Sequence, residues 1–85
     1  METANSLKIQ LFAAARDLLG RSFLELEIEL PCSVEALRKT LCEREPRLSA
    51  ILSHSRIAVD QGYALESDSV FSGSEVAIIP PVSGG

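Results

Sequence analysis

Chemistry needs nucleophiles, acid–base pairs or metal ligands at workable spacings, and the interior of this chain supplies few of them. His54 is the only histidine, and Cys32 and Cys42 lie ten positions apart with no Cys-x-x-Cys pair. That spacing matches neither a dithiol redox motif nor a zinc site, and it favours two ordinary thiols over a structural disulfide. With a single imidazole and no glycine loop around a serine or cysteine, nucleophilic catalysis is not expected. Glu25, Glu27 and Glu29 recur at every second position of "FLELEIEL". Period two puts them on one solvated strand face, where they read as wet side chains rather than metal ligands, although such a line of charge could match a basic partner. No glycine-rich loop joins a strand to a helix, so the chain should not bind ATP by itself. We expect no metal and no cofactor held by these residues.

What remains is the carboxylate of Gly85. The chain closes on "AIIPPVSGG", and Gly84 and Gly85 can neither pack nor hold a strand. Six residues beyond Ile79 reach up to ~20 Å when extended. Pro80 and Pro81 stop sheet pairing because neither ring offers an N–H, and they stiffen the base of the arm. A Gly-Gly end is bare enough to thread a narrow active-site tunnel. The alternative is a frayed terminus of dispensable small residues.

The totals restrict the rest. Eighty-five residues with 46% hydrophobic content and a net charge of −4 describe one folded domain with a thin core. The acidic balance argues against a nucleic-acid or anionic-membrane partner. No apolar run approaches the ~20 residues of a membrane span, and the first residues lack a signal-peptide pattern, so a cytoplasmic protein is expected.

Elements able to present the terminus follow from periodicity. In "LKIQLF", Leu7, Ile9 and Leu11 alternate with Lys8, Gln10 and Phe12, a strand whose polar face carries one unexpected aromatic. "AAARDLLG" is a short turn or helix closed by Gly20. In "FLELEIEL", Leu24, Leu26, Ile28 and Leu30 form the apolar side of a second strand. Ser33 is a natural N-cap for a helix over Ser33–Glu45, whose Val34, Leu37 and Leu41 make one apolar stripe before Pro46 ends it. "RLSAILSH" reads as a second short helix or a loop delivering Leu48, Ile51 and Leu52 to the core. "RIAVDQGYAL" reads as strand, turn at Asp60-Gln61-Gly62, and short strand. "ESDSVFSGSE" is turn-rich, anchored by Val70 with Phe71 as a candidate second anchor. In "EVAIIP", Val76 and Ile78 share one face and Ala77 and Ile79 the other.

A hairpin, a crossing helix and later strands make an α+β roll. The pattern suits a ubiquitin-like β-grasp, a mixed sheet with one main helix on one face, and a ferredoxin-like sandwich competes with it. We place the domain at residues 1–79 and a flexible tail at 80–85. Phe12 and Ile79 then fall on the solvated sheet face, where apolar residues lack a folding reason to be.

The stretch "GSEVAIIPPVSGG", with "LFAAARDLLG" and "SVEALRKTL", resembles the small-subunit family of molybdopterin synthase, the sulfur carriers of molybdenum cofactor biosynthesis, from about Leu7 to Gly85. The resemblance implies a β-grasp carrier worked on by others. A ubiquitin-activating-type enzyme would adenylate Gly85 with ATP, and a persulfide donor would convert it to a thiocarboxylate. The carrier would dock on the large synthase subunit in a heterotetramer and pass sulfur to precursor Z (cyclic pyranopterin monophosphate). It also implies an apolar docking patch at Phe12, Tyr63 and Ile79. The tail, Pro80, Pro81, Val82 and Ser83 ahead of Gly84 and Gly85, would enter the large subunit's pocket. Tyr63 departs from the aliphatic residue common there and adds a hydroxyl. Carriers of thiamine or cysteine synthesis, a ubiquitin-like modifier and an interaction domain with an idle tail remain the alternatives.

Overall fold

The computed structural model describes residues 5–81. The first strand, β1 (Asn5–Leu11), and the second, β2 (Phe23–Ile28), form an antiparallel hairpin around helix α1 (Ala13–Leu19). Gly20 closes α1 in the left-handed conformation at φ 71°, returning its N–H to the Arg16 carbonyl at 2.8 Å, a C-cap that glycine adopts without a Cβ penalty. The β2 strand ends at Ile28, two residues short of the alternating pattern, with Leu30 half-buried beyond it.

The main helix, α2 (Val34–Arg44), starts where expected: the Ser33 hydroxyl accepts the Ala36 N–H at 3.0 Å, worth about 1 kcal/mol. Its stripe of Val34, Leu37 and Leu41 is fully buried. Past Pro46 the chain makes a 3₁₀ turn (Pro46–Leu48) and a one-turn helix, α3 (Ser49–Leu52), which bury Leu48 and Leu52 and leave Ile51 half-buried.

Strand β4 (Arg56–Val59) turns through Asp60 and Gln61 into β5 (Gly62–Tyr63). Both turn residues have positive φ, 53° and 72°, the twist of a two-residue type I′ hairpin. The last strand, β7 (Val76–Ile79), inserts parallel to β1 and antiparallel to β4. The sheet order is β2-β1-β7-β4-β5, a mixed sheet with its one parallel pair at the centre. A ferredoxin-like sandwich would need two βαβ halves; the chain instead forms the ubiquitin-like β-grasp roll.

A pairing with no sequence signal joins β3 (Cys32–Ser33) to β6 (Ser69–Val70) in a separate ribbon. It seats Val70 in the core, while Phe71, a candidate anchor from sequence, stands 56% exposed instead. Alternation along this short strand allows only one of the two neighbours to face inward. Arg38 ties the same region together. Its Nε and Nη2 donate to the Glu66 carboxylate at 3.2 and 2.7 Å, and Nη1 donates to the carbonyls of Leu52 and Ser55. One guanidinium thus links α2, the end of α3 and the loop before β6.

The core lies between α2 and the inner sheet face. Leu7, Ile9, Leu24, Leu26, Ile57, Val76 and Ile78 supply that face, each buried side chain contributing about 1.5–3 kcal/mol.

Candidate functional site

Alternation sends the remaining strand residues to the outer sheet face, which no helix covers. Register aligns one row across all five strands: Phe23, Gln10, Ala77, Ala58 and Tyr63. Its third and fourth members are alanines, so that part of the row is a floor rather than a ridge. In the adjoining row Ile79 sits opposite Arg56, and Phe12 follows Leu11, whose partner is Ile78. Phe12 and Ile79 are therefore neighbours on the same face.

The result is a groove of about 430 Å³, floored by Ala58 and Ala77, walled by Phe12, Tyr63 and Ile79, and edged by the polar Gln10, Gln61 and Glu75. Phe12 is 42% exposed and Tyr63 62% exposed, and Ile79 is half-buried. Both ends of the alanine row carry an aromatic ring under a cation: the Lys8 ammonium lies 4.3 Å from the Phe23 centroid and the Arg56 guanidinium 4.6 Å from that of Tyr63. Such contacts contribute about 0.5–1 kcal/mol at exposed sites and hold the rings in place.

Local backbone sets the position of Phe12. It is the N-cap of α1, with extended φ and ψ of −127° and 157°, and its carbonyl accepts the N–H groups of Ala15 and Arg16. The next residue, Ala13, has φ 51°, a left-handed conformation costing an alanine about 1 kcal/mol or more. That bend lets the chain leave β1 sharply and keeps Phe12 beside Ile79. Sequence reasoning had no handle on Ala13, because alanine does not advertise positive φ. Nor did it mark Ala58 and Ala77, whose contribution is smallness.

Of the tail, Pro80 is buried and Pro81 exposed, so by burial the folded body takes in one residue beyond Ile79. Val82, Ser83, Gly84 and Gly85 lie outside the described residues. The structure brings Phe12, Tyr63 and Ile79 to one groove, at the end of the sheet from which the chain departs toward its terminus.

The thiols do not belong to this site. Cys32 and Cys42 are free and half-buried, and both pack against the core on the far side of the sheet. Burial pushes the Cys32 thiol above its ordinary value, which lowers its thiolate fraction and its reactivity. Among the described residues no three of His, Cys, Asp and Glu gather in a metal-binding group, and no helix is long and apolar enough to cross a membrane.

Known proteins resemble this chain in sequence and in fold. A family model described as the ThiS family matches residues 9–85. The molybdopterin synthase sulfur carrier subunit of Dictyostelium discoideum is 37% identical over 86 residues, spanning 96% of this chain and 99% of its own. Among solved structures, SAMP1 from Haloferax volcanii superposes with a TM-score of 0.80 at 24% identity, covering 95% of this chain and 100% of that one. A chain from the complex of subunits 1 and 2 of the molybdopterin-converting factor of Helicobacter pylori gives 0.66 at 20% identity, over 94% and 99%. Those two structures attest the β-grasp fold. The family match and the relative's identity, both over nearly the whole length, go further: the chain belongs to the ThiS family, in the group formed by the molybdopterin synthase sulfur carrier subunits.

Proposed function

We propose that the chain carries sulfur as a thiocarboxylate at Gly85 and delivers it within molybdopterin synthase. The observation that carries the reading is the joint one: an exposed groove walled by Phe12, Tyr63 and Ile79 beside β7, on a chain matched by the ThiS family model through Gly85. The groove is the handle by which partners hold the domain, and the terminus is the reacting group.

The chemistry follows from what a carboxylate lacks. Sulfur cannot displace oxide directly, so an adenylating partner couples the Gly85 carboxylate to AMP, releasing pyrophosphate from ATP. The terminal sulfur of a persulfide donor attacks the acyl carbon, and AMP leaves with the electron pair of the broken C–O bond. A donor thiol then cleaves the resulting S–S bond, forming a disulfide and freeing the thiocarboxylate. In the large subunit's pocket that sulfur attacks a side-chain carbon of precursor Z and displaces an oxygen substituent. Water then hydrolyses the acyl–sulfur bond, leaving the sulfur on the substrate and returning Gly85 to a carboxylate. Two such rounds supply both sulfurs of the dithiolene. Gly84 keeps the thread narrow, and the stretch from Pro81 to Ser83, leaving the body at the buried Pro80, would span from the groove to the pocket. ATP and the catalytic side chains belong to the partners, and this chain contributes orientation and the nucleophile. A reducing cytoplasm suits two free thiols and a thiocarboxylate alike. A large subunit as partner is supported by the relative's name as a subunit of the synthase and by the Helicobacter pylori complex of subunits 1 and 2; the heterotetramer belongs to the proposal.

Intact-protein mass spectrometry tests the reading after co-expression with the activating enzyme and a sulfur donor. The expected product shows one oxygen exchanged for sulfur, mapped to the C-terminal peptide. An unmodified chain, next to an activating enzyme proven active on its own carrier, would sink it. Isopeptide adducts on lysines of other proteins would assign the chain to the modifiers instead.

A further inference from the structure

We propose that the docking surface for the large synthase subunit does not stop at the sheet face but turns over the edge strand β5 onto a second groove walled by Phe71, with the exposed Leu65 next in the chain to its lining residue Ala64. The proposal rests on the sulfur-carrier reading above and extends its interface.

The first support is continuity. A second groove of about 340 Å³ lies between β5 and β6, and Tyr63 lines both it and the sheet-face groove. Tyr63 is thus a shared ridge, and a partner lip covering it meets both sides. Phe71 walls the second groove, and Ala64 and Asp68 line it on either side of Leu65 in the chain.

The second is display. Leu65 and Phe71 are 71% and 56% exposed, and a scattered surface hydrophobe needs no explanation. These two, however, are held by reciprocally bonded turns. The Leu65 N–H donates to Asp68 Oδ2 at 2.8 Å while the Asp68 N–H donates to the Leu65 carbonyl at 3.0 Å. The Phe71 N–H donates to Ser74 Oγ at 3.1 Å, and the Ser74 N–H returns to the Phe71 carbonyl at 3.0 Å. The Val34 and Glu35 N–H groups bind the carbonyls of Asp68 and Glu66, fixing the whole segment to the start of α2. Anchors fixed before binding lose little freedom on binding.

The third is extent. Nine residues line the sheet-face groove, whereas a specific interface engages about 20–30 residues a side. Toward β2 the outer face becomes charged, with Lys8 paired to Glu25 in register and Glu27 next along. Across β5 the second groove adds Val59, Ala64 and Phe71 beside the polar Asp68 and Ser69, so an interface centred on Phe12 and Ile79 gains apolar contact in that direction. The relatives are named as subunits of the synthase, and a chain of this fold is solved in the complex of subunits 1 and 2 of a molybdopterin-converting factor, so the large subunit is the occupant of the wider surface. A second copy of the chain would cover the face that delivery requires.

The test is calorimetric titration of the large subunit with the full-length chain, wild type and the Phe71→Glu, Leu65→Glu and Phe12→Glu variants. Melting temperature verifies each fold, with Phe71→Ser used if Phe71→Glu lowers it. Phe71→Glu and Leu65→Glu should each bind about tenfold more weakly, with adenylation of Gly85, read as pyrophosphate release, unchanged. Weakening by Phe12→Glu alone overturns the extension and leaves the carrier reading intact. No binding by the wild-type chain overturns both. Slowed adenylation with unchanged large-subunit affinity would make the activating enzyme the occupant, and a wild-type dimer dissolved by Phe71→Glu would make it a second copy. Either result overturns the proposal.

Discussion

The two faces of the central sheet are built from the same strands by alternate residues, and they differ in what their side chains are for. On β7, Val76 and Ile78 are sealed under α2, while Ala77 and Ile79 look outward into the groove. On β1, Leu7, Ile9 and Leu11 are buried, while Gln10 and then Phe12 line the open side. Period two therefore lets stability and the proposed docking role fall to alternate residues along one strand. Neighbouring substitutions should then have opposite phenotypes.

The sharpest way to break this comparison is a pair of substitutions in consecutive strand positions. Ile78→Ala removes a fully buried side chain and leaves a cavity, and should lower unfolding free energy by about 2–5 kcal/mol in urea denaturation. The outward Ala77→Leu should leave stability within about 0.5 kcal/mol yet fill the groove floor and weaken large-subunit binding in calorimetry. Equal losses of stability from both would erase the division of labour between the faces.

Arg38 tests whether the helix side is rigid independently of the open side. Arg38→Met strands the Leu52 and Ser55 carbonyls and should cost about 1–3 kcal/mol, without changing partner affinity. Glu66→Gln should cost about 0.5 kcal/mol or less, because Glu66 is 51% exposed and its charge is screened. A Glu66→Gln loss matching that of Arg38→Met would show the ion pair, not the two carbonyls, to be the clasp. Smaller again is Phe12→Ala, expected to shift the melting temperature by no more than about 2 °C while reducing affinity. Deleting Gly85 should leave melting unchanged and abolish sulfur transfer, a result readable by mass spectrometry.

Much of this division was legible in the sequence, because alternation is a local signal. Leu7, Ile9, Leu24, Leu26, Val76 and Ile78 declare the core side by spacing alone, and Ser33 declares the start of α2. Phe12 and Ile79 stood out as apolar residues on a polar period. The missing parts depend on long-range geometry or on smallness. The β3–β6 ribbon pairs Cys32 with Val70 through two residues a strand, too few to show a period. Arg38 reads as a solvated cation until α3 and the Glu66 loop fold around it. Ala58 and Ala77 make the floor by lacking side chains, and Ala13 bends the chain in a conformation its residue type disfavours.

The smallest expected effect concerns Cys32, a thiol packed against the core on the side of the sheet away from the groove. Burial raises its pKa above the ordinary thiol value of 9.0, so the folded chain keeps this proton at a pH where the unfolded chain releases it. Unfolding then releases protons, and by linkage the contribution to stability is constant below about pH 9 and declines as pH rises through the ordinary value toward the raised one. Other groups titrate in the same window, so the informative quantity is a difference. Stability of the wild-type chain minus that of Cys32→Ala should be flat from pH 7 to the ordinary thiol value and fall beyond it. A difference that rises with pH would mean that the folded chain favours the thiolate. The sign matters for function as well as folding. A body thiol held protonated is a weak nucleophile toward the acyl-adenylate and a weak competitor for persulfide sulfur. Under the proposed function this leaves the sulfur chemistry to Gly85, and slow alkylation of Cys32 by iodoacetamide at neutral pH should accompany the alkaline slope.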